Sequence, residues 1–361
     1  MTSLNLFDYA TKELSQDAVI CWLIAWAGAE TNGDPVREEL RLCGRTFVEA
    51  LFSKWDGYKV ELGDSVRTEV LRQERNVDIL ARANGEHVLL IEDKTGTGAH
   101  NNQLERYLTM VVEGNTGFGS VDLGNLYPIY CKTGNHSLWE RQFAERRSYK
   151  IFDRSDFLSV LETYTGTNQI LTEFRQYLRE WQEETNSYRK WTKDSGKGTD
   201  RATQRGWEGL YRNIEETYLS NSGDDCWPLT SQVGGYNGLS IELAETSRDS
   251  RFAIWVEKDR ISIRLYGSLT PGTYSKAGMD LHKWHWADAF ESDDGPLRKP
   301  SQMKSTKTKP MCVAEWRSWL EFGEDGRLDV EATVRNLAVA REILLAKIRR
   351  GRGEDRMDSD A

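Results

Sequence analysis

"LLIEDKTGTGAHNNQL", residues 89–104, begins as an aliphatic run and turns into Glu92, Asp93 and Lys94 before any turn residue appears. An aliphatic run of this kind reads as a buried strand, so three charges at its end need a reason. Side chains on a strand alternate between faces, which puts Glu92 and Lys94 on one side and Ile91 and Asp93 on the other. The charges therefore do not act as one block. One anion and one cation on the same face, just before a loop, stand where open sheets build sites.

The preceding stretch, "VRTEVLRQERNVDILARA", carries Asp78 between Val77 and Ile79 and is separated from "EHVLLIEDK" by Asn84-Gly85, the strongest short-range hairpin signal. A strict two-residue turn would pair Ala83 with Glu86 and set Asp78 opposite Ile91, on the wrong face for Glu92. One extra loop residue, or one bulge, sets Asp78 opposite Glu92 instead. The pattern thus predicts an odd-length loop or a bulge. With that register, two carboxylates about 5 Å apart form a hard-oxygen pocket suited to Mg²⁺. Lys94 is then placed to orient or help deprotonate a water whose pKa an ion lowers, which is what phosphodiester hydrolysis requires.

Around this centre, "SQDAVICWLIAWAGAE" reads as a buried first helix with Ser15 as its N-cap, and a second helical stretch lies near "REELRLCGRTFVEALFSKW". "NNQLERYLTMVVEG" reads as a helix and "NLYPIYCKT" as a strand. Strand, strand, strand, helix, strand describes an α/β arrangement, a mixed sheet flanked by helices. From residue 183 the texture changes to a polar, basic stretch without apolar period, read as a linker or mobile loop over 183–205. Beyond it "GLSIELAE", "RFAIWVEK" and "RISIRLYG" read as three strands, followed by an irregular Trp-rich region. "DVEATVRNLAVAREILLAKIRR" closes the pattern as a helix with Val330, Val334, Leu337, Leu344 and Ile348 on one face.

The totals agree with a folded two-domain protein. The chain has 361 residues, 38% hydrophobic and 29% charged, with only 7 prolines, which is neither a disordered nor a fibrous composition. No apolar stretch approaches the roughly 20 residues of a membrane span, and "MTSLNLFDYATKELSQDA" lacks the regions of a signal peptide. The five cysteines, at 21, 43, 131, 226 and 312, never form a C-x-x-C pair, against both a disulfide framework and a structural zinc site. A reducing cytoplasm is the expected location. The net charge of -9 counts against a nucleic-acid partner on average, but two basic stretches, residues 186–205 and "PLRKPSQMKSTKTKP", can supply a local cationic face. "TGTGAH", residues 95–100, lacks the G-K-[ST] ending of a phosphate loop and reads as a connector. His282 and His285 in "HKWH" lack the further ligands of a zinc site.

Asp78, then Glu92-Asp93-Lys94 at a strand end, resembles the motif of the PD-(D/E)XK nuclease superfamily. Gln103 and Tyr107, four apart on one helical face, are similar to the Q-x-x-x-Y element of one branch, and Glu13 resembles the acid that many members carry on their first helix. The resemblance covers roughly residues 5–165. Two departures stand out: Val77 where proline is common, and the charged middle residue Asp93. The resemblance implies a restriction-endonuclease-like core for the first domain, 1–182; the remainder, outside the resemblance, reads as a carboxy-terminal α+β domain over 206–350 and a charged tail over 351–361. It implies that Asp78, Glu92 and the Asp93 carbonyl bind Mg²⁺, with Mn²⁺ able to substitute, and that Glu13 holds a metal-coordinated water or a second ion. Lys94 would position the nucleophile, and Gln103 and Tyr107 would support the site or contact substrate. The implied activity is phosphodiester hydrolysis of nucleic acid, DNA in preference to RNA, with no membrane partner, with homodimerisation common among relatives, and with a role in defence against foreign DNA. A different class of reading is a catalytically inactive nuclease-fold scaffold that binds nucleic acid or protein.

Overall fold

The computed structural model describes residues 5–9, 13–58, 60, 62–63, 66–96, 98, 102–219, 224–230, 236–243, 251–258, 260–266, 284–291, 295–301 and 311–352. Residues 1–136 with 140–183 form one compact unit, and residues 137–139 with 184–361 form a second.

The first unit is built on a five-stranded mixed sheet in the order β1 (Thr68–Glu74), β2 (Val77–Ala83), β3 (His87–Lys94), β4 (Leu126–Lys132) and β5 (Lys150–Asp153). The first three strands are antiparallel, whereas β4 and β5 run parallel to β3. A central strand with helices over both faces is buried on both sides, and β3 is buried from Val88 to Lys94. The β2–β3 connection settles the register. Ala83 pairs with His87 and Ile79 with Ile91, so the loop is the three residues Asn84, Gly85 and Glu86, and the next pair outward is Asp78 with Glu92. Asn84 and Gly85 both have positive φ (53° and 75°), the region that Asn and Gly enter most readily.

On one face lie α1 (Glu13–Ala27), α2 (Pro35–Phe52), α5 (Arg154–Leu161) and α6 (Gln169–Thr185), which share a core of Ile20, Ile24, Phe47, Phe157 and Phe174 with Ile79, Ile91 and Ile129 of the sheet. On the other face α3 (Gln103–Val112) buries Leu104, Tyr107 and Val111 against Leu80, Leu90 and Tyr130, and Ala144 of α4 (Leu138–Glu145) joins the same cluster. The start of α2 follows from Asp34, whose carboxylate accepts from the Val36 amide at 2.8 Å, with Pro35 in the first turn. Ser15 is not an N-cap: it lies inside α1, which already runs from Glu13. That earlier start brings Glu13 onto the helix.

The second unit holds a five-stranded antiparallel sheet, β6 (Asp225–Thr230), β7 (Tyr236–Glu242), β8 (Arg251–Glu257), β9 (Arg260–Tyr266) and β10 (Met311–Arg317), in the order β10-β9-β8-β7-β6. The expected three strands are its centre; β6 and β10 were missed because each has a register shift that breaks the alternation. Its core joins Trp207, Leu210 and Ile214 of α7 (Arg201–Ile214) to Leu337, Leu344 and Ile348 of α8 (Val330–Arg352) and to Ile254, Ile261 and Ile263 of the sheet. Residues 183–205, read from sequence as a linker, carry instead the end of α6, a 3-10 turn at Asn186–Lys190 and the first residues of α7. Tyr188, Trp191 and Arg205 are buried there. Three buried side chains at uneven spacing leave no period to read, yet they hold the chain. Lys304, Lys307 and Lys309 of the second basic stretch, and His282, fall outside the described residues.

Gly44 sets the approach of α2 to α1, because a Cβ there would stand 2.4 Å from the Leu23 carbonyl and 2.7 Å from the Ala27 amide. Gly44→Ala is therefore expected to push the two helices apart and to lower stability by about 1–3 kcal/mol, read as a drop in the thermal midpoint; an unchanged midpoint would show that α1 yields without loss.

Candidate active site

The structure brings five of the seven singled-out residues together at the carboxy end of β3. The centre is the Lys94 ammonium. Nζ lies 2.5 Å from Glu92 Oε1, 3.6 Å from Asp78 Oδ2 and 3.9 Å from Glu13 Oε2, and it donates to the Asp93 carbonyl at 2.9 Å. Glu92 is fully buried and Lys94 is 6% exposed. The Asp78 carboxylate is fixed from behind: Oδ2 accepts the Asp93 amide at 3.0 Å and Oδ1 accepts Gln73 Nε2 at 3.3 Å.

Burial pushes the Glu92 carboxyl up to about 8, Lys94 opposing that rise and Asp78 adding to it. For Lys94, burial works against the charged form, but Glu92, Asp78 and Glu13 outweigh it and hold the amine above its ordinary value. The lysine thus stays cationic amid four oxygen groups, with Glu92 the nearest of them.

Asp93 points to the opposite face, as alternation requires. Its Oδ1 accepts Gln16 Nε2 at 2.5 Å. Burial and then the neighbouring Asp17 raise the Asp93 carboxyl well above its usual range, and burial followed by Asp78 raises Asp17. Two buried carboxyls facing each other hold a proton between them, since both cannot ionise. Gln16 ties this face together: it also reaches the Lys94 carbonyl at 3.4 Å and accepts the Thr133 hydroxyl. Gln73, at φ 53°, bridges Asp17 Oδ2 at 3.0 Å and Asp78. Strain of this kind at a site persists only where surrounding contacts impose it.

Gln103 and Tyr107 do share a face, with Gln103 Nε2 donating to Tyr107 Oη at 3.0 Å. Tyr107 is buried beside Tyr149, whose hydroxyl is raised well above the phenol range by burial and then by Glu92. One strand over, Lys132 pairs in register with Lys94. Its Nζ donates to both Glu140 oxygens at 2.7 and 2.8 Å, and Tyr130 Oη donates to Glu140 at 2.6 Å. Sequence reasoning missed Gln16, Asp17, Gln73, Lys132 and Glu140. Only Asp17, four residues after Glu13 on the same helix, had a spacing that could have pointed to it. Cys131 is a fully buried thiol raised by burial and then by Asp93, hence inert as a nucleophile.

The donor set suits a hard divalent ion. Mg²⁺ takes one or two carboxylates and keeps several waters, and Asp78, Glu92 and the Asp93 carbonyl offer that set where an ammonium now sits. Among the described residues no three His, Cys, Asp or Glu side chains are already arranged around a point to hold an ion, so the site is two carboxylates and a backbone oxygen. No described helix is long and apolar enough to cross a membrane. In the comparisons with known proteins, the family model described as the PD-(D/E)XK nuclease superfamily matches residues 4–128. No curated protein and no solved structure matches the chain.

The raised Glu92 carboxyl has a stability consequence without any metal. The folded chain holds this proton more tightly than the unfolded one, whose value is 4.5; the contribution is complete below that pH and is lost as pH rises towards about 8. Glu92→Gln, melted in chelator, should match wild type near pH ~5 and exceed it near pH ~9 by up to ~3 kcal/mol. Adding Mg²⁺ should stabilise wild type alone. Equal Mg²⁺ stabilisation of both proteins would remove Glu92 from the ligand set.

Proposed function

Through residues 4–128 the chain belongs to the PD-(D/E)XK nuclease superfamily, and from that premise we propose that it is a Mg²⁺-dependent phosphodiesterase acting on DNA. The observation that carries the proposal is the convergence of Asp78, Glu92, the Asp93 carbonyl and Glu13 on one buried cationic point. A pair of acids that repel each other has little structural purpose unless a cation sits between them.

Asp78, Glu92 and the Asp93 carbonyl would hold the ion, Mg²⁺ or Mn²⁺ in its place, with Glu13 at the outer edge. When bound there, a divalent ion lowers the pKa of a water and offsets charge building on a phosphoryl group. Lys94, on the same face as Glu92, donates hydrogen bonds that orient the attacking water. Gln73 and the Asp93 amide hold the Asp78 carboxylate in one orientation, so no reorganisation is needed when charge develops. Gln103 and Tyr107 line the α3 side and contact substrate or steady Glu92. DNA over RNA, action in a reducing cytoplasm where all five cysteines remain free thiols, and a role against foreign DNA complete the reading; they are supported by family likeness.

The test is cleavage of plasmid, linear duplex, single-stranded DNA and RNA by wild type, Asp78→Ala and Lys94→Ala, with Mg²⁺, Mn²⁺ or chelator. Metal-dependent cutting should fall at least ~100-fold in both variants. If wild type cuts none of the four polymers and Mg²⁺ does not raise its melting point, the nuclease reading gives way to the scaffold.

A further inference from the structure

The second unit contains a cavity of about 620 Å³ bordered by Lys193, residues 195–199, Trp207, Lys258, Ser318, Leu320 and Phe322. That volume lies within the range of about 300–1,000 Å³ typical of small-ligand sites. Its walls are apolar and aromatic, its rim carries Lys193, Lys197 and Lys258, and no carboxylate lines it. In a chain of net charge -9 such a place is electrostatically exceptional.

Among the described residues the nearby charges have the following partners. Lys197 pairs with Asp194 at 2.8 Å. Glu257, which precedes Lys258, faces Arg260 at 3.0 Å and Arg264 at 3.3 Å, and Asp259, which follows it, lies outside the described residues. Asp200 is committed to the start of α7, where it accepts the Thr203 amide at 2.9 Å, so that helix end already holds a negative charge and repels another. Among the described residues Lys193 and Lys258 form no ion pair. They are the two cations left to take an anion.

The apolar side is equally specific. Gly196 has φ +73° and a Cβ there would stand 3.2 Å from the Trp191 ring and 3.3 Å from Trp207, so glycine lets the loop lie on the tryptophans. Trp207 Nε1 donates to the Gly196 carbonyl at 2.9 Å and its ring is buried behind the loop, so the half-buried Leu320 and Phe322 present the apolar wall to the cavity. Two ammonium groups without an ion pair among the described residues match the double charge of a phosphate, and the flat Phe322 side chain matches a planar ring.

We propose that this cavity binds a nucleotide-class ligand, its ring against Phe322 and Leu320 and its phosphate between Lys193 and Lys258. The site is independent of the nuclease reading.

The experiment is calorimetric titration of the full chain in chelator, where cleavage is silent, with AMP and ATP, and with adenosine and inorganic phosphate as the separated halves. AMP or ATP should bind saturably and each half at least ~tenfold more weakly, as loss of a charge-assisted contact implies. Lys193→Ala with Lys258→Ala should weaken nucleotide binding by a similar factor and leave the melting point in place. Leu320→Trp, which fills the cavity, should abolish binding. No saturable nucleotide binding, phosphate binding as tight as AMP, or unchanged affinity in both variants would each overturn the proposal. A 5′-phosphorylated pentanucleotide binding more tightly than AMP or ATP would overturn the assignment to a free nucleotide and place a strand end there. Failure here leaves the metal-dependent cleavage result untouched, and a failed cleavage assay leaves this titration fully interpretable.

Discussion

Everything in the first unit is arranged around the repulsion between Asp78 and Glu92. Two carboxylates at neighbouring strand positions, one fully buried, are unstable unless a positive charge lies between them. Lys94 supplies that charge from the same strand and face. The magnitudes show why the arrangement survives. Burying Val88, Leu89, Leu90 and Ile91 yields roughly 6–12 kcal/mol at about 1.5–3 kcal/mol each, against several kcal/mol for each buried ion after relaxation. The aliphatic half of β3 therefore offsets the charged half and carries it into the interior.

The two faces at the end of β3 have different electrostatic solutions. On the face with Glu92, the acids meet a cation. On the face with Asp93, they meet each other and hold a proton, with Gln16 and Gln73 supplying donors. Gln73 joins the two solutions through its contacts to Asp17 and Asp78. The orientation of the candidate metal ligand is thus coupled to α1 by one side-chain amide held in an unusual backbone conformation.

The second unit follows another logic. Its antiparallel sheet and two long helices bury a Trp- and Ile-rich core, and the proposed ligand site lies where Lys193 and Lys258 border a cavity. The average negative charge of the chain hides this local excess, and pairing of Lys197 with Asp194 and of Arg205 with Glu184 removes part of the basic run between residues 186 and 205 from service.

The motif at Asp78, Glu92 and Lys94, the helix with Gln103 and Tyr107, and the odd-length hairpin were legible in the sequence, because strand alternation and loop length are local rules that assign faces without knowledge of the fold. Glu13 was legible only through resemblance. Gln16, Gln73, Lys132 and Glu140 were not legible: their partners lie 78, 5, 38 and 8 residues away, at Lys94, Asp78, Lys94 and Lys132, and no local period marks them. The ordered stretch at 183–205 and the edge strands β6 and β10 escaped for the same reason, since uneven burial and register shifts erase periodicity. Local patterning determined which chemistry the chain carries at the end of β3; tertiary packing decided which side chains hold it there and brought Lys193 and Lys258 to one cavity, because those contacts join segments that sequence distance keeps apart.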